Sequence, residues 1–95
     1  MLGGVSVKVH VPGALRPYCG GERQLEVAAA TVRAALEELE KGHPALHRCI
    51  CDETGAVRRH VNLFVNESHV RDLAGLETPL SPGDEIAIMP AVSGG

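Results

Sequence analysis

The stretch Thr31-Val32-Arg33-Ala34-Ala35-Leu36-Glu37-Glu38-Leu39-Glu40-Lys41-Gly42 decides the fold. Val32, Ala35, Leu36 and Leu39 recur at the i, i+3, i+4, i+7 spacing of one helical face, and Thr31 stands where an N-cap accepts a backbone N–H. Glu37 and Lys41 form an i, i+4 pair on the wet side. Gly42 occupies the expected C′ position, and Pro44 follows to prevent continuation. The pattern predicts a helix of about three turns, and no other stretch of the chain matches it. A single amphipathic helix must bury its apolar stripe against another layer, and the flanking sequence supplies a sheet.

Upstream, Val5, Val7, Val9 and Val11 alternate with Ser6, Lys8 and His10, the period-2 pattern of a strand with one buried face. Pro12 and Gly13 stop it. Leu15-Arg16-Pro17 and Gly20-Gly21 then form an irregular connection in which the glycines permit positive φ. A second strand over Arg23 to Val27, with Leu25 and Val27 inward, is expected to pair antiparallel with the first.

Downstream, residues 43 to 59 read as a long connection carrying a short helical turn or a function, with a turn at Asp52 to Gly55. Val61, Leu63 and Val65 alternate with Asn62, Phe64 and Asn66 in a third strand. Asn66-Glu67 turns it, and His69 to Arg71 is expected as a short fourth strand. Leu73, Leu76 and Leu80 read as anchors under a loop. Pro82-Gly83 makes a turn, and Ile86 and Ile88 open the last strand. The order gives an α+β roll, with the helix on one side of a sheet that becomes mixed if the last strand lies beside the first.

The chain has 95 residues, 44% of them hydrophobic, which sets one domain with enough apolar material for a core. Nine Lys and Arg against twelve Asp and Glu give a net charge of −3, with the basic residues scattered. Tyr18 and Phe64 are the only aromatic residues. Neither the charge nor the stacking groups fit nucleic acid. No apolar run reaches the ~20 residues of a membrane span, and no basic segment precedes an apolar stretch at the N-terminus. Three cysteines, Cys19, Cys49 and Cys51, form no secreted disulfide framework. A cytoplasmic location with reduced thiols is the expectation, and Cys49 and Cys51 share a side if their stretch is extended.

His43, His47, Cys49 and Cys51 are credible metal ligands within nine positions, but C-x-C with two nearby histidines matches no standard zinc arrangement. A cysteine nucleophile would need a base such as His47 or His60 and an oxyanion site, which the spacing does not supply. Glu37, Glu38 and Glu40 fall on the wet helix face, and Arg58-Arg59 reads as surface charge. Gly3-Gly4 and Gly20-Gly21 lack both phosphate-binding glycine patterns. The expectation is no metal and no cofactor bound by this chain, and no catalysis of its own.

The tail remains. Gly94-Gly95 follows a strand that ends the domain, so it is expected to protrude as an unbranched arm able to pass a narrow channel. A free carboxylate is a poor electrophile. Adenylation from ATP turns it into a mixed anhydride that a sulfur or nitrogen nucleophile can attack.

The strand Val5 to Val11, the Leu15-Arg16-Pro17 and Gly20-Gly21 turn, the helix from Val32, Val61-Asn62-Leu63-Phe64-Val65-Asn66, Pro82-Gly83-Asp84 and Pro90-Ala91-Val92-Ser93-Gly94-Gly95 together resemble the MoaD/ThiS family of ubiquitin-like sulfur carrier proteins. The likeness covers nearly the whole chain. It implies a β-grasp fold over residues 1–91 with a flexible tail at 92–95. The Leu-Arg-Pro turn, His60-Val61-Asn62 and the Pro-Ala-Val-x-Gly-Gly ending are most similar to the carriers that feed a cysteine synthase. Related carriers deliver sulfur toward molybdopterin, thiamine thiazole or tRNA. The resemblance further implies that an E1-like enzyme, using its own ATP, adenylates Gly95, and that sulfur transfer yields a thiocarboxylate for a sulfur-accepting biosynthetic enzyme. A ubiquitin-like modifier would instead join Gly95 to target lysines.

Strand alternation also places a partner surface. With Val61, Leu63 and Val65 toward the helix, Phe64 points to the other side, and so do Ala87 and Met89 if Ile86 and Ile88 face the helix. Phe64, Ala87, Met89, Pro90 and Val92 are therefore the expected partner-binding residues, with Phe64 and Met89 exposed and leading toward Gly94 and Gly95.

Overall fold

The computed structural model describes residues 4–90. Five strands, β1 (Val5–His10), β2 (Gln24–Ala29), β3 (Val61–Val65), β4 (Ser68–His69) and β5 (Glu85–Pro90), form one sheet in the order β2-β1-β5-β3-β4. β1 and β5 run parallel, while the other neighbours are antiparallel. The last strand lies beside the first, which is the condition under which the roll was expected to have a mixed sheet. Two helices, α1 (Val32–Gly42) and α2 (Pro44–Ile50), cover one face of the sheet.

The core is where the two periodicities meet. Val7 and Val9 of β1, Leu63 of β3, and Ile86 and Ile88 of β5 are buried against Val32, Ala35, Leu36 and Leu39 of α1. Each Val, Leu or Ile among them, fully buried, contributes about 1.5–3 kcal/mol relative to exposure. Thr31 caps α1, its Oγ1 accepting from Ala34 N at 3.1 Å. On the wet side Lys41 reaches Glu38 at 3.3 Å, an i, i+3 contact in place of the expected bond to Glu37.

Gly42 does not end α1 at a left-handed C′ position. It is the last helical residue, and it is absent from the positive-φ glycines. The terminator is Pro44, whose ring excludes helical geometry at the residue before it, and His43 accordingly sits at φ −140° and ψ 69°. Pro44 then starts α2, where its missing N–H costs nothing. α2 buries Leu46 and Ile50, an i, i+4 pair too short to register as a periodic pattern. It is the short helical turn expected within residues 43–59, extended to seven residues. Cys49 lies in α2, half-buried, and the helix continues to Ile50, so the backbone is extended only at the buried Cys51 and not over the whole stretch.

Smaller differences follow from local bonding. The β1–β2 connection contains a 3-10 helix, Gly13–Cys19, closed by Gly20 at φ 74° and Gly21 at φ 83°, conformations that glycine adopts without strain. β2 begins at Gln24 rather than Arg23 and continues to Ala29. β4 ends at His69 because Val70–Asp72 turns into a 3-10 helix whose Arg71 N–H donates to His69 Nδ1 at 3.1 Å. Leu80 is buried and Leu76 half-buried, but Leu73 is exposed and anchors nothing.

Candidate functional site

Among the described residues no helix covers the sheet face opposite α1 and α2, and the pairing register fixes what lies on it. His10 on β1 pairs with Gln24 on β2 and with Ala87 on β5; Ala87 pairs with Phe64 on β3, and Phe64 with His69 on β4. One row of this open face therefore reads Gln24, His10, Ala87, Phe64, His69. Met89 projects on the same face opposite Asn62, one step nearer the end of β5.

Phe64 is not freely exposed as the alternation had implied. It is half-buried, because the His69 ring packs edge-on against it with centroids 5.0 Å apart. That imidazole is fixed at both nitrogens: Nδ1 accepts from Arg71 N–H, which leaves Nε2 to donate to Asn62 Oδ1 at 3.0 Å. Met89 is 52% exposed, and Ala87 and Pro90 are half-buried. The expected sites Val92, Gly94 and Gly95 lie outside the described residues.

A groove of about 320 Å³ opens beside the Ala87–Pro90 end of β5. Val11, Pro12, Ala87, Met89 and Pro90 supply its apolar lining, and His10 and Arg16 its polar groups. Arg16 Nε donates to Val11 O at 3.1 Å, which holds the guanidinium at the groove. No carboxylate pairs with it among the described residues. His10 Nε2 lies 2.7 Å from Glu85 Oε1. Sequence reasoning missed His10 and Arg16. Both belong to legible motifs, the wet side of β1 and the Leu15-Arg16-Pro17 turn, but only the parallel β1–β5 register brings them beside Met89.

On the helical side, a second cavity of about 550 Å³ lies between α1 and the 52–55 turn. Its charges are mixed, with Glu37, Glu40 and Asp52 against Arg33, Arg48 and Arg58. Asp52 Oδ1 accepts from Thr54 Oγ1 at 2.6 Å, Thr54 N at 2.9 Å and Ala56 N at 3.2 Å. The Thr54 hydroxyl, before the backbone bonds and Arg58, holds this carboxyl below its ordinary range. Burial, reinforced by Asp52, pushes the Cys51 thiol up, so its nucleophilic thiolate is disfavoured. His43, His47, Cys49 and Cys51 do not converge: among the described residues no three His, Cys, Asp or Glu side chains group to hold an ion. Nor is any helix among them long and apolar enough to cross a membrane.

The model of the ThiS family matches residues 9–95. The chain belongs to that family. Sulfur carrier protein CysO of Mycobacterium tuberculosis is 34% identical over 93 residues, covering 96% of this chain and 100% of the relative. CysO in the Amycolatopsis orientalis BexX/CysO complex superposes with a TM-score of 0.85 at 36% identity, covering 94% of this chain and 99% of that one. The small archaeal modifier protein 1 of Methanosarcina acetivorans reaches a TM-score of 0.87 at 32% identity, covering 98% and 99%. The fold is the ubiquitin-like β-grasp, and the chain is a sulfur carrier.

Proposed function

We propose that the sulfur travels on the α-carboxyl of Gly95 as a thiocarboxylate, and that the chain is a co-substrate consumed and regenerated by partner enzymes. An E1-like enzyme adenylates the carboxylate with ATP bound on that enzyme, releasing pyrophosphate. A sulfur nucleophile then displaces AMP. The whole-length similarity to a sulfur carrier carries this reading, and the CysO relatives favour cysteine biosynthesis as the destination. The open face supports it physically. An activating enzyme must grip the domain while residues 92–95 reach its nucleotide, and an exposed, adaptable Met89 beside the packed Phe64 and Ala87 suits such a grip. The β-grasp domain, residues 1–91, thus serves as the handle and the tail as the carrier.

A second reading has its own observation. The small archaeal modifier protein 1 of Haloferax volcanii is 38% identical over 66 residues, covering 70% of this chain. Conjugation of Gly95 to lysines would use the same adenylate with a nitrogen nucleophile. Removal of Gly95 tests the step common to both: adenylation by the cognate E1-like enzyme should disappear while the thermal midpoint stays unchanged. Adenylation that persists without Gly95 overturns the proposed carrier atom.

A further inference from the structure

The two edges of the sheet are unequal. β4 is two residues long and turns at once into a 3-10 helix, which blunts that edge. β2 runs six residues, pairs with β1 at six consecutive positions without a bulge, and contains neither Pro nor Lys. Val11 N–H donates to Arg23 O at 2.8 Å, so the odd-numbered residues of β2 bond inward to β1. The N–H and C=O groups of Gln24, Glu26 and Ala28 consequently point outward. All three residues are exposed, and no backbone bond reaches those groups among the described residues. Ala30, the next of the same parity, is already taken by Leu80 N–H at 2.9 Å.

Side chains beside this edge define what fits it. Toward the core side, Leu25 and Val27 are only half-buried, and Ala34 of α1 is left half-buried too. On the open face, Glu26 stands across from Lys8 of β1 without an ion pair to it among the described residues, and Ser6 Oγ donates to its carboxylate at 2.7 Å, which fixes that carboxylate at the centre of the edge. A second copy is a poor occupant. In the antiparallel register that pairs all the free residues, two-fold symmetry sets Glu26 against Glu26, and like charges directly opposite are destabilising.

We propose that β2 is a strand-addition site for an extended segment of another protein, with small or β-branched residues toward Leu25, Val27 and Ala34 and a Lys or Arg opposite Glu26. The added strand would pair with Gln24, Glu26 and Ala28 through the backbone and take its specificity from alternate side chains. This site lies at the opposite end of the sheet order from β4 and is separate from the groove beside Met89. It stands whether or not Gly95 carries sulfur.

The test titrates the isotope-labelled full chain with two capped peptides, Val-Thr-Val-Lys-Val-Thr-Val and its counterpart with Glu at the centre, monitored by backbone amide shifts and exchange. The expected result is slowed exchange at the Gln24, Glu26 and Ala28 amides, with the Lys peptide bound at least about threefold more tightly. Glu26→Lys should reverse that preference. No change at these amides up to millimolar peptide, equal affinity for both peptides, or shifts confined to Ala87 and Met89 would each overturn the proposal. So would self-association of the wild-type chain through β2.

Discussion

Ile86 and Ile88 are 1% and 3% exposed, whereas Met89, the next residue of the same strand, is 52% exposed and Ala87 is half-buried. One backbone thus serves two purposes on its two sides. The inward residues lock β5 between β1 and β3. The outward residues pack little and remain available to a partner. Loss of stability and loss of partner binding should therefore separate along β5 with a period of two.

The largest effect that would break this separation is on the buried side. Ile88→Ala removes a side chain packed beneath α1 and should cost about 2–5 kcal/mol in urea unfolding. A small loss there would mean that the inward face is not the core. Across the strand, Met89→Asp should weaken binding to the E1-like enzyme by at least ~2 kcal/mol, about thirtyfold. Its unfolding free energy should stay within about 0.5 kcal/mol of wild type. Titration calorimetry paired with a melting curve reads both. Phe64→Asp should weaken binding similarly but also lose about 0.5–1.5 kcal/mol of stability, because it gives up the edge-on contact with His69.

At the groove beside Met89 the expected effect is smaller. Arg16→Ala should weaken the same complex by about 1 kcal/mol, roughly fivefold, and increasingly so at low salt, if its guanidinium meets a carboxylate of the partner. Salt-independent affinity would remove Arg16 from the docking surface. The smallest effect lies far from β5, at Asp52. Its folded-state pKa is lowered, chiefly by Thr54, so its contribution is present above the ordinary carboxylate value and disappears as pH falls through the lowered one. Asp52→Ala should remove a shallow acid-side step from the stability–pH curve and leave partner binding at neutral pH untouched.

The helix and the alternating strands were legible because their apolar residues repeat at fixed intervals, and α1 shows this directly through Val32, Ala35, Leu36 and Leu39. For α2 only a helical turn somewhere in residues 43–59 was legible and not its bounds, since Leu46 and Ile50 alone mark its buried side. The end of α1 was read at Gly42, but the backbone restriction that Pro44 places on His43 decides it. At the candidate site, Phe64, Ala87 and Met89 could be set on one face from alternation alone. His10, Arg16 and His69 could not, because their places depend on which strands are neighbours and in what register. Strand alternation reports the side of a sheet and carries no information about the residue across from it.

Mass spectrometry of the full chain purified after coexpression with its E1-like enzyme and a sulfur source tests the carrier claim most directly. The expected result is replacement of one terminal oxygen by one sulfur, located on Gly95 by fragmentation. Lysine adducts alone, or an unmodified terminus beside an active enzyme, would contradict it.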